Sequence, residues 1–166
     1  AETLSRLRYH CGLLSLAALP QATEDELILH VKSVGSVIPI VGFYLQTAVG
    51  GRVLPYSFWR RFVEIEAVVG IKIAAFNRYQ TLDVIRAVAE SGRDDIALYT
   101  GNDDNIVADL ITPWRLGERQ LRFTGGLLGH WSVWTRSAVE LLQRCQTETA
   151  SPELLQLGVE VTDCNA

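Results

Sequence analysis

The chain contains no methionine, not even at its first position, and only three cysteines, Cys11, Cys145 and Cys164. An odd set without Cys-x-x-Cys spacing indicates neither a disulfide framework nor a zinc site, so these read as reduced thiols. Positive charge is scarce as well: 15 Lys and Arg against 19 Asp and Glu give a net charge of −4 and a pI near 5.4. That balance supplies no pull toward nucleic acid or an anionic membrane. The isolated Arg60-Arg61 doublet reads as a solvated helix face. No apolar run approaches the roughly 18 residues of a membrane span, and the N-terminus lacks the basic-then-apolar layout of a signal peptide. A cytoplasmic location is the default expectation. Gly-x-Gly-x-x-Gly after the first strand, Gly-x-x-x-x-Gly-Lys-Ser/Thr and Gly-x-Ser-x-Gly are all missing. His10, His30 and His130 have no ligand spacing, and Asp94-Asp95 and Asp103-Asp104 read as caps rather than Mg²⁺ ligands. Neither a metal nor a cofactor is expected.

What is present is apolar mass, 48% of 166 residues, with a mean hydropathy of +0.15. That suffices for one sizeable core. Its most informative stretch is Val68-Val69-Gly70-Ile71-Lys72-Ile73-Ala74-Ala75-Phe76, an almost continuous apolar run that reads as a parallel strand buried on both faces. Lys72 therefore has apolar neighbours on every side. Desolvation disfavours an ammonium, and a neutral amine on a rigid strand is what Schiff-base chemistry with a carbonyl requires. The alternative is a strand-end lysine with its stem packed and its head in water.

Strand and helix signals alternate along the chain. Gly12 to Leu19 reads as a strand closed by Pro20, and Thr23 opens a capping box with Glu26 ahead of a helix to about Ser33. Pro39 to Tyr44 is a second strand, and Pro55 opens a helix with Phe58, Phe62 and Ile65 on one face. The lysine strand follows, then a helix from Thr81 to Glu90, a strand from Ile96 to Thr100 and a helix from Asn105 to Ile111. Arg115 to Arg119 reads as a polar turn, Leu121 to Leu128 as a fifth strand and Ser137 to Gln146 as a helix. The tail from Pro152 reads as the start of a helix that the chain does not complete. Five units of about 25 to 30 residues mean βαβ crossovers on a parallel sheet. With the nucleotide signatures missing, the eightfold barrel is favoured over an open sheet. Five strands do not close one, so residues 1–166 are expected to be a single partial barrel and an internal piece of a longer chain.

In such folds ligands meet the carboxyl ends of the strands. The residues there are Tyr44, Lys72, Thr100, Gly101, Asn102, Asp103, Gly125 and Gly126. Tyr44 ends the strand before that of Lys72, and its phenol could share a cavity with the amine and relay protons if the pleats agree. The glycines either let backbone N–H groups approach an anion or simply turn the chain.

From about Leu13 to Gly129 the chain resembles the dihydrodipicolinate synthase and N-acetylneuraminate lyase family of class I pyruvate-dependent aldolases. The family writes Tyr-Asn-x-Pro, Gly-x-Lys, Ser/Thr-Gly-Asp-Asp and a Gly-rich segment at its fifth to eighth strands. Here these stand as Tyr44-Leu45-Gln46-Thr47, Gly70-Ile71-Lys72, Thr100-Gly101-Asn102-Asp103 and Gly125-Gly126-Leu127-Leu128. Positions 45, 47 and 49 hold Leu, Thr and Val where synthases hold Asn, Pro and Arg, with Arg52 close by. The resemblance implies a (β/α)₈ barrel of which this chain carries the fourth to eighth strands. It implies a lyase or aldolase in which Lys72 forms a Schiff base with pyruvate or another 2-oxo acid and Tyr44 relays protons. Thr100, Gly101, Asn102, Gly125 and Gly126 would bind the substrate. It also implies a homo-oligomer, dimer or tetramer. The carboxylate-holding segment of the second strand is not in this chain, so the 166 residues alone are expected to be inactive. Two other readings stand beside this one: a sugar-phosphate class I aldolase and a barrel-derived binding protein without turnover.

Overall fold

The computed structural model describes residues 1–165. After a short helix α1 (Glu2–Arg6), strands β1 (Gly12–Ser15), β2 (Ile40–Leu45), β3 (Val68–Ala74) and β4 (Ala97–Thr100) alternate with helices α2 (Glu24–Gly35), α3 (Tyr56–Phe62), α4 (Arg78–Ser91) and α5 (Ile106–Ile111). A hairpin, β5 (Trp114–Leu116) and β6 (Arg119–Leu121), precedes the two-residue strand β7 (Gly125–Gly126), and helices α6 (His130–Val133), α7 (Thr135–Thr147) and α8 (Pro152–Asn165) complete the described chain. The main sheet runs β1-β2-β3-β4-β7, every pair parallel. This is a partial barrel wall of five staves. Among the described residues no helix is long and apolar enough to cross a membrane.

Local chemistry accounts for most boundaries. Thr23 and Glu26 form the expected capping box, with the Thr23 N–H 2.7 Å from the Glu26 carboxylate and the Glu26 N–H 3.3 Å from Thr23 Oγ1. Asn77 caps α4 through Oδ1, which accepts the N–H groups of Tyr79 and Gln80. Gly92, at φ +74°, ends that helix in the left-handed conformation that L side chains avoid. Two expectations are corrected. The first strand stops at Ser15, because the chain turns with the Leu19 N–H on the Leu16 carbonyl. The polar segment around Gly117 is a hairpin rather than a bare turn, its Gly117 at φ +61°, and it takes Leu121 from the expected fifth strand, which shrinks to Gly125–Gly126. The helix expected from Pro152 is present as α8, 14 residues long.

The two faces of the sheet differ. Ile40, Gly42 and Tyr44 on β2, Ile71 and Ile73 on β3, and Leu98 and Thr100 on β4 are buried under the helices. Phe58, Trp59 and Phe62 of α3 form an aromatic layer there, with ring centroids 5.2 to 5.7 Å apart. The opposite face carries Leu13, Ser15, Val41, Phe43, Leu45, Lys72, Ala97 and Tyr99, none of them fully buried, and Leu13 is 53% exposed. Between β2 and β3 the register shifts: Ile40 pairs with Val68 but Val41 pairs with Gly70, leaving Val69 as a one-residue bulge. Face assignment downstream of Val69 depends on that bulge.

The fit of α3 on the sheet depends on Gly42. A Cβ there would lie 2.6 Å from Cζ of the buried Phe62 ring. Gly42→Ala is therefore expected to lower stability by about 1–3 kcal/mol through overpacking, read as a lower midpoint with unchanged slope in denaturant unfolding.

Candidate active site

Strand pairing sets the centre of the site. Phe43 on β2, Lys72 on β3, Tyr99 on β4 and Gly125 on β7 are successive register partners across the sheet. Paired residues of parallel strands point to the same face, and neighbouring strands lie about 4.8 Å apart. Lys72 thus emerges on the open face, between strands that carry Phe43 and Tyr99 at the same level. Its Nζ sits 4.3 Å from the centroid of Phe43, a cation–π distance. Burial pulls the amine below the usual lysine range, and the nearby charge of Asp103 opposes the shift.

Lys72, Tyr99, Gly125 and Gly126 line one cavity of about 760 Å³, together with Leu13, Thr124, Leu127, Leu128, Gly129 and Leu142. Lys72 is the one charged residue in that lining. Its side chain passes over Gly101: a Cβ on Gly101 would lie 2.7 Å from Lys72 Cε and 2.9 Å from Ala74 Cβ. The Gly101 N–H donates to the Ile73 carbonyl at 2.6 Å, which locks the loop against β3. Gly101 is needed for clearance.

Three expected site residues lie elsewhere. Tyr44 pairs with Ile73, not Lys72, and so points under the helices, 1% exposed. Its ring packs on Trp59 at 5.0 Å, and its hydroxyl donates to the Leu54 carbonyl and accepts the Leu54 N–H, both at 3.2 Å. Burial pushes that phenol above its usual range. Tyr44 and Lys72 do not share the cavity. Thr100 and Asn102 are also buried, spent on Asp109: Thr100 Oγ1 donates to Asp109 Oδ2 at 2.6 Å and Asn102 Nδ2 at 3.0 Å. Arg78 pairs with the other carboxylate oxygen of Asp109, and the Phe76 N–H donates to Asn102 Oδ1 at 3.0 Å. Their work is to fix the loop after β4. Arg52 is likewise occupied, with one guanidinium nitrogen on the carbonyls of Leu19 and Ala22 at 2.7 and 2.9 Å.

Sequence reasoning missed Phe43 and Tyr99. Counting alternate positions back from Gly101, which crosses the lysine stem, would have put Tyr99 on the same face. Among the described residues no cluster of His, Cys, Asp and Glu is arranged to hold a metal ion, and the His130 side chain lies outside that description.

No family model matches the sequence. Over 89 residues it is 30% identical to the 4-hydroxy-tetrahydrodipicolinate synthase of Alkaliphilus oremlandii (strain OhILAs), a match that spans 52% of this chain and 29% of that protein. The dihydrodipicolinate synthase of Bacteroides thetaiotaomicron superposes with a TM-score of 0.73 at 17% identity, over 95% of this chain and 50% of that one. The resemblance to the dihydrodipicolinate synthase and N-acetylneuraminate lyase family is borne out. The N-acetylneuraminate lyase of Fusobacterium nucleatum agrees, at a TM-score of 0.70 and 13% identity over 99% of this chain and 50% of that one. The chain spans about half the length of these solved members of the family.

Tyr44→Phe removes a hydroxyl bonded at both ends to Leu54, so it is expected to cost about 1 kcal/mol in thermal or denaturant unfolding. Because Tyr44 faces away from the cavity, the same variant should leave the reactivity of Lys72 toward a small amine reagent unchanged. Gly101→Ala should do the reverse and alter that reactivity, since the new methyl occupies the path of the lysine stem. The chain has only one other lysine, Lys32, exposed on α2, so peptide mapping separates the two amines.

Proposed function

We propose that the protein carrying this chain is a class I aldolase or lyase that captures pyruvate or another 2-oxo acid on Lys72 as a Schiff base. The observation that carries the reading is the placement of Lys72: a partly desolvated amine on a rigid strand, set over the Phe43 ring and opening into a cavity whose other lining is uncharged. An amine disfavoured in its charged form supplies the unprotonated nitrogen that attacks a ketone carbon. The sequence likeness to a synthase and the fold shared with synthases and lyases support the same class.

The sugar-phosphate reading would need further positive charge near Lys72. Neither Arg52 nor Arg78 supplies it, the first being bound to backbone carbonyls and the second paired with Asp109. The 2-oxo acid reading therefore stands ahead. Reduction with borohydride in the presence of pyruvate, applied to the full polypeptide that contains this sequence, is expected to add one reduced adduct located at Lys72 by peptide mapping. Lys72→Ala should abolish the adduct and Lys32→Ala should not; an adduct that survives Lys72→Ala would overturn the proposal. The free-amine fraction also predicts a pH dependence. Adduct formation should rise with pH through the depressed pKa of Lys72 and level off above it, at a lower pH than an ordinary lysine requires.

A further inference from the structure

Resting on the reading of Lys72 as the imine-forming amine, we infer that the ring of Phe43 is the group that holds the positive nitrogen of its iminium. Ser15, Phe43 and Lys72 are successive register partners on β1, β2 and β3, so the ring stands beside the lysine on the open face. The amine nitrogen lies 4.3 Å from the ring centroid. One atom back along the stem, the side chain runs against the loop after β4, where a Cβ on Gly101 would come within 2.7 Å of Lys72 Cε. The end of the side chain is thus held by two neighbouring elements, its last carbon against Gly101 and its nitrogen over Phe43. Phe43 is half-buried, and among the described residues the cavity lining includes Lys72 and Tyr99 but not Phe43. The ring therefore meets the chemistry through the nitrogen. A positive nitrogen over an aromatic face is attracted by the ring quadrupole, the more so where water is scarce. A neutral nitrogen gains nothing comparable.

The charge on that nitrogen changes at defined points. The Lys72 nitrogen bonds to the ketone carbon, the C=O π pair moves to oxygen, and a proton passes through solvent from nitrogen to that oxygen, leaving a neutral carbinolamine. A solvent proton then adds to the hydroxyl, the C–O bond breaks, water leaves and the nitrogen lone pair forms the C=N bond. That iminium carries the positive charge. Loss of a proton from the adjacent carbon to solvent moves its electron pair into the enamine and returns the nitrogen to neutrality. One proton is taken from solvent and one given back, so amine plus 2-oxo acid becomes enamine plus water. A ring that favours only the charged nitrogen lowers the iminium relative to the neutral species on either side of it. It also favours the resting ammonium, and so holds the proton on both to higher pH. The titratable neighbours are Asp103, whose charge acts on the amine in the same direction, and Tyr99, whose ring packs over Gly70 and Gly125. Neither changes when the Phe43 ring does.

The test reads the pH profile of cyanoborohydride trapping of pyruvate at Lys72, on the full polypeptide that contains this sequence. That reagent reduces the iminium and not the neutral imine, so trapping rises with pH as the ammonium deprotonates and falls as the iminium does. Phe43 is replaced by its 4-fluoro, 3,5-difluoro and 3,4,5-trifluoro analogues, which keep the outline of the ring while progressively weakening its negative face. Both limbs of the profile should move to lower pH with each added fluorine, by about 0.4 to 1 pH unit across the series. A ring that only excluded water would show no such trend. The same analogues at Phe58, in the aromatic layer on the other face of the sheet, should leave both limbs in place. If the parent is trapped at Lys72 but the limbs stay fixed across the Phe43 series, the role of Phe43 is overturned and the lysine reading stands. If the parent shows no adduct at Lys72, both fall together.

Discussion

A single extra residue in one strand decides which side of the sheet the amine occupies. At the start of the β2–β3 pairing Ile40 faces Val68 at an offset of 28 residues; beyond the bulge at Val69, Phe43 faces Lys72 at an offset of 29. Because side chains alternate with a period of two, a one-residue slip exchanges the faces of everything that follows. Without the bulge, Lys72 would align with Tyr44 and be driven under α3, among Trp59 and Phe62, where an unpartnered amine costs several kcal/mol. With it, the lysine emerges on the open face, and the buried face stays wholly apolar at Ile71 and Ile73.

That placement needs a second strand end held just as firmly. Asp109, fully buried on α5, gathers Thr100, Asn102 and Arg78 around one carboxylate. A buried carboxylate persists only when its oxygens are paired, and here the pairing joins the end of β4, the start of α4 and the first turn of α5. The consequence for chemistry is indirect but definite: the loop carrying Gly101 cannot drift, and the lysine stem crosses a backbone with no Cβ to obstruct it.

Much of this was legible in the residues. The βα alternation, the capping box at Thr23 and the exceptional lysine strand are local signals, and local chemistry decides them. That Tyr44 and Lys72 lie on opposite faces was not legible, because their separation of 28 residues is the offset at which Ile40 pairs with Val68. Sequence separation counts residues, whereas a bulge changes how many of them span the same length of sheet. Thr100 and Asn102 misled for a related reason. They stand in the expected motif at a strand end, but the carboxylate that claims them lies on the following helix, and spacing does not reveal which of two polar partners, substrate or Asp109, a hydroxyl will serve. The hairpin around Gly117 was hidden because its two three-residue strands leave too short a pattern to separate from a turn.

The environment of the amine is a balance of opposed effects. Loss of water disfavours the ammonium, while the face of Phe43 and the charge of Asp103 favour it. A lysine stripped of every favourable contact would be a free amine but would also be an expensive group to bury. One given a close carboxylate would remain charged and inert toward a ketone. The arrangement around Lys72 lies between these limits. Its near neighbour is the polarisable ring of Phe43, and burial outweighs charge in moving its pKa. An aromatic face lets a strand present an amine to a cavity while limiting its hydration, and Phe43 supplies that face here. The same alternation that puts the lysine on the open face thus puts the Phe43 ring at its side.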